Sequence, residues 1–454
     1  MKVSGAYKRY SAIVKNGLKN GFYNTTRELD SSVMLSRGLI DTFGCTIPWL
    51  IMANNDTERQ EKTRRYLINY VLVWLTPFVT LPLSNRFAMK HIAKLTKSFW
   101  SNNHKAMIIS NKFLKDKYLM MPELQKMADK TNRYPLESLF NRFFPKKKYA
   151  QKIDIKELLK SVDGDTEKLR QKLIKAKNAV FVSDCIFTFG SGATVLFLNN
   201  EITRKKTGQA GFSAEMGMAD KETVEKRAES YEKNKKKKYL AAAGLTVFTA
   251  LGMSLAAFAT LYSKNPNKIV QKLRNGSRWF DYNKGIYMSR LPFFLGNTSF
   301  VGVNLLAGRN NTERKDLAIR QCIGDAVFFG GDLLLASVFT NMCDRIFGTK
   351  LCMDDGSNSS VIRKIFPKIK PIKQVYDEVK NGKISTVNKK VSSGIFWSNM
   401  VILMVAMGYV IPTLINKMIR HDVAKDVEAQ NKKAFNLSVK PVKMEDFINN
   451  AGIK

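Results

Sequence analysis

Asp325 and Asp332 stand seven residues apart inside an apolar run, 322–342, and that spacing is two helical turns, so both carboxyls fall on one face of a helix. Asp332 follows Val327-Phe328-Phe329-Gly330-Gly331 and precedes Leu333-Leu334-Leu335-Ala336, close to the centre of the run. If the run crosses a bilayer, an ionised Asp facing lipid there costs about 2.5 to 3.5 kcal/mol. That face must then meet other helices, a cation or water. Asn297 and Asn304 repeat the seven-residue spacing in another run, and Asp184 lies in a third. Together the five side chains read as a polar path for a small solute or ion, with the three acids as its charged groups. The plainer alternatives are interhelical hydrogen bonding with nothing carried, or a run that does not span.

The elements that would position these groups are seven apolar segments: A, 38–53; B, 66–83; C, 179–198; D, 239–262; A′, 291–308; B′, 322–342; and C′, 394–415. B, D and C′ come nearest to the roughly 20 apolar residues needed to cross a bilayer, whereas A is short and holds Asp41 and Pro48, which suits a re-entrant or interfacial helix. None shows the period-two alternation of barrel strands. The fold class expected is all-α, a multi-pass helical membrane protein. Outside the segments, 104–130, 154–177 and 216–238 read as helices, and the last runs into D with Glu222/Lys226, Glu229/Lys233 and Glu232/Lys236 at i,i+4.

A and B are joined by Asn55-Asp56-Thr57-Glu58-Arg59, and A′ and B′ by Asn310-Asn311-Thr312-Glu313-Arg314, with four of the five residues identical. In the same frame Leu50 pairs with Leu305, Arg65 with Arg320 and Ile68 with Ile323. More weakly, Phe181, Ser183 and Asp184 of C stand opposite Phe396, Ser398 and Asn399 of C′. The pattern predicts a three-segment repeat with D between the copies, a 3+1+3 arrangement of parallel repeats. Asp325 and Asp332 align with Tyr70 and Pro77, so two symmetric acid sites are not expected. Asn55 and Asn310 read as helix N-caps, with Glu58 and Glu313 at the third helical position completing capping boxes. Both turns are also N-glycosylation acceptor sequences.

The domain plan that follows is a basic amphipathic segment at 1–37; repeat 1 at 38–198 with a basic helical insertion at 84–178; a charged helix, linker span and basic connector at 199–290; repeat 2 at 291–415; and a polar tail at 416–454. Within residues 1–27, which contain no acid, Tyr7, Tyr10, Val14, Leu18 and Phe22 recur at helical spacing among Lys and Arg.

A formal charge of +37, from 75 Lys and Arg against 38 Asp and Glu, calls for a polyanionic partner. Lys235, Lys236, Lys237 and Lys238 abut segment D, which points to anionic lipid headgroups, and no zinc-finger, RRM or KH pattern speaks for nucleic acid. Five cysteines, an odd number without C-x-x-C spacing, predict reduced, buried thiols and no disulfide framework. Three scattered histidines give no metal site, and no cofactor motif is present.

Segment D carries two rows of small residues, Ala242, Thr246, Ala250 and Ser254 beside Gly252, Ala256 and Thr260, which allow close helix contact within the chain or across a dimer. Walker, nucleophile-elbow, zincin and Rossmann patterns are all missing, so an enzyme is not expected. The leading functional expectation is a permease or channel-like protein for a small solute or ion. The competing one is a membrane-anchored scaffold whose basic loops hold lipid or a partner. The excess of Lys and Arg beside the N-terminus places it in the cytoplasm, in a cytoplasmic (inner) membrane, with a mitochondrial inner membrane as the alternative.

Overall fold

The computed structural model describes residues 21–75, 77–96, 109–129, 154–283, 287–353 and 365–436. Tyr7, Tyr10, Val14 and Leu18 lie outside them. The structure is 83% helical and all-α, with one short hairpin pairing Tyr282 with Met288 and Asn283 with Tyr287.

In chain order, α1 covers 21–30. Helix α2 passes from Val33–Leu39 through a wide π-helical stretch, Ile40–Thr46, to Ile47–Ile51. Helix α3 does the same from Asp56–Asn69 through Tyr70–Leu75, and the chain continues as Pro77–Phe87 and Ala88–Ile92. Three short helices follow: α4, Asn111–Leu114; α5, Lys117–Asp129; and α6, Ile155–Lys160.

Helix α7, Thr166–Thr207, opens on Asp165, whose carboxylate accepts from the N–H groups of Glu167 and Lys168. It closes on Gly208 at φ +67°, a left-handed position that suits glycine. Helix α8, Lys221–Tyr262, starts on the Asp220 cap and carries the charged stretch 221–238 into segment D without a break, as its salt-bridge spacing predicts. Then come α9, Lys268–Gly276; α10, Arg290–Ala307; α11, Asn311–Phe347, π-helical over Ala326–Gly331; α12, Ile372–Lys380; and α13, built from Thr386–Val405, a π-helical Ala406–Val410 and Ile411–Asn436.

Four of these helices, α7, α8, α11 and α13, are long and apolar enough to cross a membrane. They carry C, D, B′ and C′, so the described residues give four candidate spans where the sequence predicts seven. Segment A ends at the turn before Asn55, A′ forms an 18-residue helix that holds Asn297 and Asn304, and segment B contains residue 76, which is outside the described residues.

Two compact units result, and they cut across the boundaries read from the sequence: Met1–Pro48 with Ile323–Pro412, and Trp49–Cys322 with Thr413–Lys454. The first joins segment A to B′ and C′. Its α2 packs on α13 at a close backbone approach, where a Cβ on Gly44 would lie 2.7 Å from Met404 Cα and one on Gly408 would meet the Gly44 carbonyl. Ile40, Phe328, Leu403 and Met407 are buried there, and Trp397 of α13 stacks on Phe22 of α1 and donates to Thr26 Oγ1 at 3.0 Å.

The second unit joins B, C and D to A′. Its central helix is α7, whose apolar window is 61% buried against 28–33% for the other three candidate spans. Ala193, Leu196 and Phe197 of α7, Tyr231 and Ala242 of α8, and Val303 and Ala307 of α10 share one core. The row Ala242, Thr246, Ala250 and Ser254 is buried inside this unit, while Gly252 and Ala256 of the second row are exposed. Small residues again set the contact between A′ and C: Gly296 lies against the Phe189 ring, and Gly192 against Phe300.

Candidate functional site

In the first unit, Asp332 is half-buried on α11 and its carboxylate accepts from Asn399 Nδ2 of α13 at 2.7 Å, the same amide also reaching the Asp332 carbonyl at 3.1 Å. Asp325, buried two turns earlier, lies 3.4 Å from Arg37 Nη1 of α2. Arg37 also binds Asp41 at 3.3 Å, and its guanidinium packs over the rings of Phe328 and Phe329. The sequence gives no hint of Arg37, because it precedes the apolar run and its partner is 288 residues away.

The remaining members of the expected path belong to the second unit. Asp184 is buried on α7, accepts from Thr188 Oγ1 one turn on at 3.2 Å, and faces the Tyr282 phenol. Asn297 turns back to its own helix, donating to the Phe293 carbonyl at 2.9 Å. Asn304 is buried and reaches from α10 to the Leu317 carbonyl of α11 at 3.3 Å. Each of the five residues is thus held by a protein group, and they fall into two sets.

The two Asn turns form the densest polar structure. Asn55 Oδ1 accepts from Glu58 N at 2.8 Å, and Glu58 Oε2 reaches back to Asn54 N at 2.6 Å. At the second turn Asn310 Oδ1 accepts from Glu313 N at 2.9 Å, and Glu313 Oε2 reaches back to Arg309 N at 2.7 Å. Both reciprocal bonds land one residue before the capping Asn, a variant of the usual box.

Both Asn amides also hold one loop, between α7 and α8. Asn55 Nδ2 donates to the carbonyls of Ser213 and Met216 at 2.7 and 2.8 Å, while Asn310 Nδ2 donates to Glu215 Oε2 at 2.9 Å. Glu215, fully buried, is also paired with Arg227 at 3.1 Å, and Arg227 donates to Thr312 Oγ1.

Beside this loop lies Arg309, 1% exposed, with its guanidinium between Glu61 at 2.8 Å and Glu313 at 2.9 Å and over the Phe212 ring. Burial opposes its charge, but the two carboxylates outweigh that and raise its already high pKa. Asn199 and Asn200 of α7 extend the network to the carbonyls of Glu61 and Ala307. Arg309, held by two carboxylates beside the capped turns, fixes one geometry for them.

A second buried ion pair anchors the stem of α7. Lys177, fully buried, binds Asp281 at 2.6 Å and the Ile109 carbonyl, and Asp281 also accepts from Ser110 Oγ and Asn111 N at 2.7 and 2.8 Å.

The lysine cluster divides. Lys235 pairs with Glu201 and Lys238 lies over the Tyr231 ring at 5.0 Å, while Lys236 and Lys237 are exposed. Of the free cysteines, Cys45 and Cys185 are buried, but Cys322 is exposed and Cys343 and Cys352 are half-buried, which corrects the expectation of uniform burial. Among the described residues no three His, Cys, Asp or Glu side chains gather as a metal site. No protein-family model, curated protein or solved structure matches the chain.

Proposed function

We propose that the chain is a multi-pass membrane protein built from two copies of a three-segment unit, and that it acts as a membrane-embedded scaffold whose basic surfaces hold anionic lipid or an acidic partner. The observation that carries this reading is that each acid in the apolar helices is tied to a protein side chain: Asp332 to Asn399, Asp325 to Arg37, Asp184 to Thr188. Asp332 and Asp325, each bound to a side chain of a neighbouring helix, work as interhelical ties, and Asp184 is held within its own helix. The duplication is supported by the matching caps at Asn55 and Asn310, each followed by a helix of 14 or 15 residues and then a six-residue π-helical stretch. It is supported again by the pairing of A with C′ in one unit and of A′ with C in the other.

The permease reading is favoured by one feature, the placement of Arg37 between Asp41 and Asp325, two carboxylates against one guanidinium on apolar helices. Flux in reconstituted liposomes separates the two functions. The scaffold reading expects proton and ion leakage no greater than in protein-free liposomes. Flux in the wild type that disappears in well-folded Asp325→Asn or Asp332→Asn would overturn it in favour of a pathway.

A further inference from the structure

Helix α9 is turned inside out. Its one buried charged residue, Arg274, points into the protein and donates to the carbonyls of Thr260 and Lys115 at 3.1 Å each and to that of Ser263, which ties α9 to the end of α8. Its large aliphatic side chains face outward: Ile269 is 70% exposed and Leu273, one turn on, 58%. Trp279, just beyond the helix, is 56% exposed. Helix α12 shows the ordinary pattern by contrast, with Ile372 and Val375 buried. An amphipathic helix that buries its arginine and exposes its aliphatic face is stable where that face meets something other than water.

The surrounding charge says what covers it. From Ser263 to Phe280 the chain has no acid, and Lys264, Lys268, Lys272 and Arg278 are exposed around the apolar face. The turn at 115–116 and the first residues of α5 are fastened to α9 by the Arg274 bond and by Lys115 Nζ on Asn275 at 2.9 Å, and they expose Tyr118 and Leu119. The helix begins six residues after Tyr262, where the candidate span α8 ends. Aliphatic and aromatic side chains ringed by lysine, at the end of a span, match the interface between acyl chains and anionic headgroups.

We propose that α9, Trp279 and the start of α5 form an interfacial foot that lies in the headgroup region of an anionic leaflet. The proposal rests on the membrane reading above. Trp279 provides the probe, as the difference in emission between the full-length wild type and Trp279→Phe in vesicles of phosphatidylcholine with phosphatidylglycerol. Phospholipids brominated near the top of the acyl chain are expected to quench most of that difference, and aqueous acrylamide to leave most of it. Quenching by acrylamide without quenching by the brominated lipid would overturn the foot.

Lys268→Gln with Lys272→Gln is expected to reduce lipid quenching in the anionic vesicles more than in phosphatidylcholine alone, and an equal effect in both would overturn the headgroup assignment. If Trp279→Phe fails to fold, Leu273→Trp, at an exposed position, gives a second reporter. Protein retained by the membrane through carbonate but unquenched by lipid sinks the foot alone, whereas release by carbonate sinks the membrane reading beneath it.

Discussion

Arg309 is the side chain on which the most structure converges, since it is buried between Glu61 and Glu313 and its own N–H is held by the second. Removing one partner of a buried ion cluster leaves the others charged and dry, so Arg309→Met should destabilise by about 3 to 5 kcal/mol. Arg59→Ala, which removes an exposed pair with Asp56 and an exposed bond to the Leu50 carbonyl, should cost about 0 to 1 kcal/mol. Thermal unfolding of the two variants in detergent checks the contrast, and equal shifts would deny the cluster its role. Asp332→Asn keeps the shape of the Asn399 contact and should leave stability nearly unchanged, while Asp332→Leu should weaken it by about 1 kcal/mol. The same assay reads both. The caps were legible in the sequence because a cap is local, an Asn with a Glu three residues on. Glu61, Glu215 and Arg227 were not, for nothing in periodicity tells a buried charge from a solvated one. The clue available was the repeated turn itself, whose flanking charges gather where its two copies share a loop.

At the scale of elements, the helices follow from run length and caps, and the continuous α8 follows from its i,i+4 charges leading into an apolar run. Their partners do not. A glycine in an apolar run shows that something approaches closely but not what, and only the structure sets Gly44 of α2 against Met404 and Gly408 of α13. Gly44→Leu should therefore force these helices apart and destabilise the first unit by about 1 to 3 kcal/mol, whereas Gly252→Leu, where open space surrounds the Cα, should be tolerated. Unfolding temperatures decide; tolerance of both would mean that α2 and α13 do not pack as described. The glycosylation reading of the two turns is tested at this scale. The amides of Asn55 and Asn310 are engaged by the 213–216 loop, so expression in a secretory host should give no glycan on either, and an endoglycosidase-sensitive shift lost on Asn310→Gln would contradict the cap geometry.

For the whole molecule, composition and clustering made the broad class legible: apolar runs separated by basic stretches point to an all-α chain, and four helices long and apolar enough to cross a membrane are present among the described residues. The number and grouping of spans were less legible, because a run such as A′, diluted by Asn297 and Asn304, lies near the boundary between a span and a packed helix, and because a repeat in sequence does not say which copy's first helix packs with which partner. The central claim is that these four helices hold the protein in a bilayer by apolar burial and not by the attraction of its +37 charge to lipid headgroups. Washing membranes first with high salt and then with alkaline carbonate tests this directly, since salt screens surface charge and carbonate strips peripheral proteins, but neither releases a chain that spans the hydrocarbon. The account predicts that the protein stays in the membrane pellet through both washes; its appearance in the soluble fraction after either would contradict it.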